Sequence, residues 1–359
     1  MNNKLTLIII IIVIVTAIIF LSKTNVQSND NTNLTTVDIK GNFDRVNLKS
    51  PQYPKAIEIV NPSGYLNTDK ISIQENIGKK VILVDFWTYS CINCQRTFPY
   101  LNSWYEKYKD KGLVIIGMHT PEFEFEKNHE NVQQAISKYN IKYPVVQDND
   151  YSTWRAYGNR YWPRKYLIDI DGFIVYDHIG EGGYEETEQK IQELLEERKN
   201  ALNEEESIDT EISKPNITNT EFQNIGTPEI YFGYGFSRNQ IGNEEGWQPD
   251  QVIFYSIPEN IEGNKFYLNG SWTNNNDNME LQSDSGKIKL KYYAKNINLV
   301  AGSNDEVNAK IYINDEYIKN VKIKNYDLYE LYFSENYGEN TIEIIFENPG
   351  IMAYTFTFG

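Results

Sequence analysis

Cys91 and Cys94 stand three positions apart in the stretch VILVDFWTYSCINCQRTFPYL, and they are the only two cysteines in the 359-residue chain. A C-x-x-C pair can serve several chemistries. Covalent haem attachment needs a histidine directly after the second cysteine, where Gln95 stands. A zinc site needs two more ligands, and the only histidines are His119, His129 and His178. A structural disulfide closing so short a loop stabilises little compared with one closing a long loop. Reversible dithiol–disulfide exchange fits better, since no third cysteine competes for either sulfur. These residues call for no metal and no organic cofactor.

Such chemistry depends on the elements that carry the pair. Val81 to Trp87 is apolar on both faces apart from Asp85, the pattern of a central strand covered on both sides. Phe98, Leu101, Tyr105 and Tyr108 then recur at helical spacing, and Gly112 closes the helix. Cys91 would sit at the helix start, near unpaired N–H groups and the positive end of the dipole, an arrangement that favours a nucleophilic thiolate. Cys94, one turn inside, is placed to attack a mixed disulfide formed on Cys91. An ionised Asp85 in a dry strand is costly, so it should be neutral at rest or serve a purpose, or else be a hydrogen-bonded structural group.

The surrounding segments alternate in type. KAIEIVNPSGYLNT and KISIQENIGKK read as two short strands, LVIIGMH as a second buried strand, and NVQQAISKYN as a helix through Val132, Ala135, Ile136 and Tyr139. YPVVQD is strand-like, KYLIDIDGFIVYDHIG a hairpin turning at Asp171-Gly172, and the segment from Tyr184 an amphipathic helix through Ile191, Leu194 and Leu195. Residues 54–201 are therefore expected to form an α/β sandwich with a mixed sheet. Residues 202–226 read as a linker. Residues 227–359 alternate at period two between Gly, Asn and Asp turns, as in an antiparallel, jelly-roll-like all-β sandwich.

At the other end, Leu5 to Ser22 is 18 uncharged residues between Lys4 and Lys23. As a helix they would span roughly 27 Å, close to a hydrocarbon core. Residues 1–28 thus read as a transmembrane anchor or signal segment and 29–53 as a polar tether, with the body outside the cytoplasm. The chain has 34 basic and 50 acidic residues, net charge −16, and no basic cluster, which argues against nucleic acid as a partner.

VDFWTYSCINC resembles the thioredoxin layout, with Asp85 six residues before Cys91 and Pro99 five after Cys94. Together with RYWPRKYLIDIDG the motif is similar to TlpA-like thiol-disulfide oxidoreductases, and more closely to the extracytoplasmic C-terminal part of the DipZ family. The resemblance covers roughly residues 54–359 and implies a thioredoxin-like fold followed by a carbohydrate-binding-module-like β domain. It further implies Asp85 as proton acceptor for Cys94, with a raised pKa, and a cis bond at Pro163 that leaves the Trp162 backbone free to pair with a client. Trp87 and Tyr89 would wall the site. The partners implied are disulfide-containing protein clients and a separate CcdA- or DsbD-like membrane electron donor, because DipZ proteins carry a polytopic electron-transfer domain where a single hydrophobic span stands here.

Other functions compete. Thr88-x-x-Cys91 matches part of a peroxidatic signature, although Val84 stands where that signature has proline, so thiol peroxidase is an alternative. Disulfide oxidase or isomerase is another; the uncharged Ile92-Asn93 pair favours a reductant. In the C-terminal half, Tyr231, Phe232, Tyr234, Phe236, Trp247 and Trp272 are candidates for a glycan-stacking platform, against the alternative of core and interface aromatics. HTPEFEFEKN reads as a charged loop, Glu122 included, and His119 as a packed core histidine.

Overall fold

The computed structural model describes residues 39–215, 225–236 and 238–358. The run Leu5–Ser22, and the anchor expected from it, lie outside those residues. Among the described residues no helix is long and apolar enough to cross a membrane.

The first sheet contains β1 (Gly64–Leu66), β2 (Val81–Trp87), β3 (Leu113–His119), β4 (Val145–Gln147), β5 (Arg164–Ile168) and β6 (Ile174–Ile179), in the order β1-β4-β3-β2-β5-β6. β2, β3 and β4 are parallel, while β5 runs against β2 and β6 against β5. The helices are α1 (Ile39–Lys49), α2 (Ile92–Tyr108), α3 (His129–Lys138), α4 (Ser152–Ala156) and α5 (Tyr184–Leu202). All seven residues of β2 are buried. Val81, Leu83 and Trp87 pack beneath Phe98, Leu101 and Trp104 of α2 and Ile191 of α5, while Ile82, Val84 and Phe86 enter the opposite core with Met118 and Trp154. The two-residue period therefore puts Asp85 on the α2 side, under the cysteine pair.

Two expectations change in this half. Only Gly64–Leu66 of the first expected strand is paired in the sheet, and the second is replaced by turns. The Glu58 carboxylate accepts from Ser72 Oγ at 2.6 Å and from the amides of Ile73 and Gln74 at 3.0 and 2.9 Å, holding that backbone in a turn. Part of the expected tether is the helix α1. Its Arg45 and Lys49, one turn apart, reach a common acidic cluster: Arg45 Nη2 lies 3.0 Å from Asp171 Oδ1, and Lys49 Nζ lies 2.6 Å from Asp169 and 3.0 Å from Asp171, with Glu197 also in contact. Lys49→Ala leaves buried carboxylates short of a cation and is expected to cost about 1 to 3 kcal/mol in chemical denaturation. An unchanged midpoint would show that α1 is not firmly docked. The expected linker also begins in contact with the α/β unit, where Ser213 N and Oγ each donate to Glu188 at 2.8 Å.

The second sheet contains β7 (Ile230–Tyr231), β8 (Val252–Tyr255), β9 (Phe266–Asn274), β10 (Met279–Leu281), β11 (Gly286–Gly302), β12 (Val307–Ile313), β13 (Glu316–Ile323), β14 (Asp327–Phe346) and β15 (Met352–Phe358). Its layers are hydrogen-bonded into one folded sheet, ordered β13-β12-β14-β11-β15-β10-β9-β8, with β7 on β15. A bulge between Ala294 and Asn296 interrupts the register of β11 with β14. The first half of β11 pairs with β9 and the second half with β15. The enclosed core includes Trp272, Leu290, Ile344 and Phe356. Both sheets belong to one compact unit, Lys40–Gly359. They meet where Phe123 and Phe125, from the loop after β3, pack against Tyr354 at ring distances of 5.1 and 4.6 Å.

Candidate active site

β2 ends at Trp87, and a short turn carries the chain to Cys91, which caps the N-terminus of α2 in an extended conformation (φ −75°, ψ 117°). Cys91 is partly exposed; Cys94, in the first turn of α2, is fully buried; both are free thiols. Gln95 Nε2 donates to Tyr89 O at 2.8 Å and ties the helix to the turn. Burial pushes the Cys94 thiol up, the hydrogen bond and charge of Cys91 push it further, a backbone bond from Thr88 opposes, and Asp85 adds a smaller upward push.

Asp85 is fully buried, and among the described residues no group hydrogen-bonds either carboxyl oxygen. Burial raises its pKa from 3.8 to about 7, countered in part by Lys165. Lys165 lies directly across from Asp85 in the β2–β5 register and is itself fully buried. Its Nζ reaches Gly180 O at 3.4 Å, and burial pulls its pKa down against the upward pull of Asp85, Cys94 and Glu181. Sequence reasoning missed this lysine. The available signal was a cation inside the strand-like run directly after Pro163.

The loop after β3 is the larger surprise. Glu126 is fully buried: its Oε1 accepts from Ser90 Oγ at 2.6 Å and its Oε2 from the amides of Glu122 and Phe123 at 2.6 and 3.0 Å. It thereby clamps the residue before Cys91 to the loop. Glu122 is also drawn inward, its Oε1 2.8 Å from the hydroxyl of Tyr231 of β7. HTPEFEFEKN is thus an interlayer wedge instead of a charged surface loop: two glutamates face the thiol site while the phenylalanines between and beside them enter the second sheet. The E-F-E-F-E alternation was the signal.

The remaining expected site residues separate. Trp87 is fully buried against Phe98 and His119, at ring distances of 5.1 and 4.8 Å, so it cannot touch a client as expected. Tyr89 is nearly buried and stacks on His119 at 5.9 Å. His119 is fully enclosed, and burial lowers its pKa to about 3, so it is a neutral packing group. Trp162 is partly exposed, packs at a tilt against Trp154 and donates Nε1–H to Thr120 O at 3.0 Å. The Trp162–Pro163 bond is cis.

Cys91 opens into a cleft of about 650 Å³ shared by both sheets. Asn93, Glu122 and Trp162 line one side; Glu229, Tyr231 and Arg238 line the other. Of the aromatics proposed to stack a glycan, Phe232 and Trp272 are fully buried, and Trp247 packs on the core and donates to Phe232 O at 3.0 Å. Tyr231 and Phe236 join the intersheet cluster. That platform is not assembled on the surface. Among the described residues the one carboxylate group with metal-ligand spacing, Asp169, Asp171 and Glu197, is already paired with Lys49 and Arg45.

Both halves of the chain are similar to known proteins. A family model described as Redoxin matches residues 55–195, and one described as Thioredoxin like C-terminal domain matches residues 227–359. Protein DipZ of Mycobacterium tuberculosis is 38% identical over 245 residues, 67% of this chain and 34% of DipZ; the chain therefore spans about a third of that relative. Thiol-disulfide oxidoreductase ResA of Bacillus thuringiensis is 33% identical over 129 residues, 36% of this chain and 71% of ResA. Among solved structures, a putative thiol:disulfide interchange protein DsbE from Chlorobium tepidum aligns with 40% of this chain and 96% of its own, at 25% identity and a TM-score of 0.35. The chain belongs to the thioredoxin-like family of thiol-disulfide oxidoreductases.

Proposed function

We propose that the protein reduces disulfides in exported proteins, with Cys91 as attacking sulfur and Cys94 as resolving sulfur. The observation that carries this reading is the pairing of a partly exposed Cys91 at a helix N-terminus with a buried Cys94 above a buried, unbonded Asp85. Cys91 attacks a client disulfide and forms the mixed disulfide. Cys94 gives up its proton and attacks Cys91, releasing the reduced client and leaving the Cys91–Cys94 disulfide. Asp85, as carboxylate, accepts the Cys94 proton. Trp162 and Pro163 position the client segment beside Cys91. Regeneration draws electrons from a CcdA- or DsbD-like membrane partner, and the segment 1–28 holds the domains on the extracytoplasmic side.

Direction is tested by equilibrating the protein in dithiol/disulfide buffers of known potential. A reductant is expected to lie nearer to about −270 mV, the range of thioredoxin, than to about −120 mV, the range of strongly oxidising catalysts. A value at the oxidising end would replace the reductase reading with an oxidase.

A further inference from the structure

The Tyr231 hydroxyl, from β7, lies 2.8 Å from Glu122 Oε1 and 3.0 Å from Glu229 Oε2. One hydroxyl carries one hydrogen, so between two ionised carboxylates it is shared in a weak three-centre bond. Protonating one carboxyl, which then donates to the Tyr231 oxygen, gives each contact a hydrogen of its own. The trio thus favours holding a proton, and it lies on the wall of the cleft into which Cys91 opens. The loop geometry keeps it near the sulfur: Trp162, on that wall, binds the carbonyl of Thr120, two residues before Glu122, and Glu126 binds both the Glu122 amide and Ser90, next to Cys91.

We propose that Glu122, backed by Tyr231 and Glu229 of the β domain, is the general acid that protonates the client thiolate released when Cys91 attacks. This rests on the reading of Cys91 as the attacking thiolate. In the step, the Cys91–client S–S bond forms, the client disulfide breaks, and its electron pair leaves on the departing sulfur. That sulfur takes the Glu122 proton, and the resulting carboxylate is reprotonated from solvent through the open cleft.

The groups facing Glu122 fit the role. Burial, then Glu229 and then Glu126 push its pKa up, while the Tyr231 hydrogen bond and Arg238 oppose. Tyr151, from the segment before α4, is a further titratable neighbour, and Arg160 lines the same cleft. The proton donor is thus set jointly by two sheets, which gives the β domain a direct part in the exchange chemistry.

A donor matters only when the leaving thiolate is basic, because acidic thiols leave readily without help. The test is to reduce the full chain and measure the rate on 2-hydroxyethyl disulfide, a basic leaving group, divided by the rate on 4,4′-dithiodipyridine, an acidic one, across pH. Glu122→Gln is expected to lower this ratio by about a hundredfold, the low end of general-acid effects. Glu229→Gln is expected to move the alkaline limit of the ratio down by about one pH unit, as removal of a neighbouring charge does. A general structural loss would slow both disulfides together. An unchanged ratio in Glu122→Gln, or an unmoved alkaline limit in Glu229→Gln, would overturn the proposal. Failure of the wild-type protein to reduce either compound would instead count against Cys91 as the attacking thiolate.

Discussion

Cys91→Ser is expected to abolish disulfide reduction, by at least about a thousandfold, because a serine hydroxyl with no adjacent base is not a competent nucleophile. Cys94→Ser is expected to abolish turnover through a different step. Cys91 is partly exposed and still forms the mixed disulfide, but no sulfur stands below to resolve it. The two variants therefore look alike in steady-state assays and differ in a single turnover, where Cys94→Ser consumes one equivalent of client disulfide and Cys91→Ser none. The reverse pattern, one equivalent consumed by Cys91→Ser and none by Cys94→Ser, would exchange the roles assigned to the two sulfurs.

Asp85→Asn carries the second large effect, and it acts on rate and stability in opposite directions. As carboxylate, Asp85 accepts the Cys94 proton, so resolution of the mixed disulfide should slow about a hundredfold, the low end of general-base contributions. In the wild type, resolution should also fall as pH drops below about 7, where the buried carboxyl becomes protonated. The asparagine variant lacks that limb. Stability follows from the same shift. Between pH 3.8 and about 7 the unfolded chain has an ionised Asp85 while the folded protein keeps it protonated. The unfolded state then binds fewer protons, so wild-type stability falls as pH rises through this window, by on the order of 4 kcal/mol. Asparagine does not titrate, so Asp85→Asn should be more stable than wild type at pH 8 and about equal near pH 4. Denaturation at both pH values checks the sign. A variant less stable at pH 8 would mean that Asp85 is a structural acceptor after all.

The parts of this site legible in the sequence were those encoded by local spacing. The C-x-x-C pair, the helix through Phe98 and Leu101, and Asp85 within an apolar strand lie in one short run; which face of the strand Asp85 takes became visible only from the packing of its neighbours. The Asp171-Gly172 hairpin was legible for the same reason, since Gly172 adopts φ 81° in the turn. What stayed hidden depends on register and long-range pairing. Lys165 meets Asp85 only because β5 runs against β2 in one particular register. Glu122 meets Tyr231 across 109 residues, and Arg45 meets Asp171 across 126. Such pairs leave no periodic trace, and a glutamate headed for a buried site looks in sequence like one headed for water. Trp87 misled for a related reason: an aromatic beside a redox pair suggests a wall, but at the end of a doubly covered strand it became core.

The central claim is that Cys91 attacks and Cys94 resolves, and the most direct measurement is the covalent map of a stalled reaction. Reduced Cys94→Ser protein is mixed with an oxidised, disulfide-containing substrate such as insulin, quenched with acid, and digested for mass spectrometry without reduction. The account predicts a stable mixed disulfide joining Cys91 to a substrate cysteine, dissolved by added dithiol. Absence of that adduct, with Cys91 found as free thiol or as a sulfur oxyacid, would contradict it.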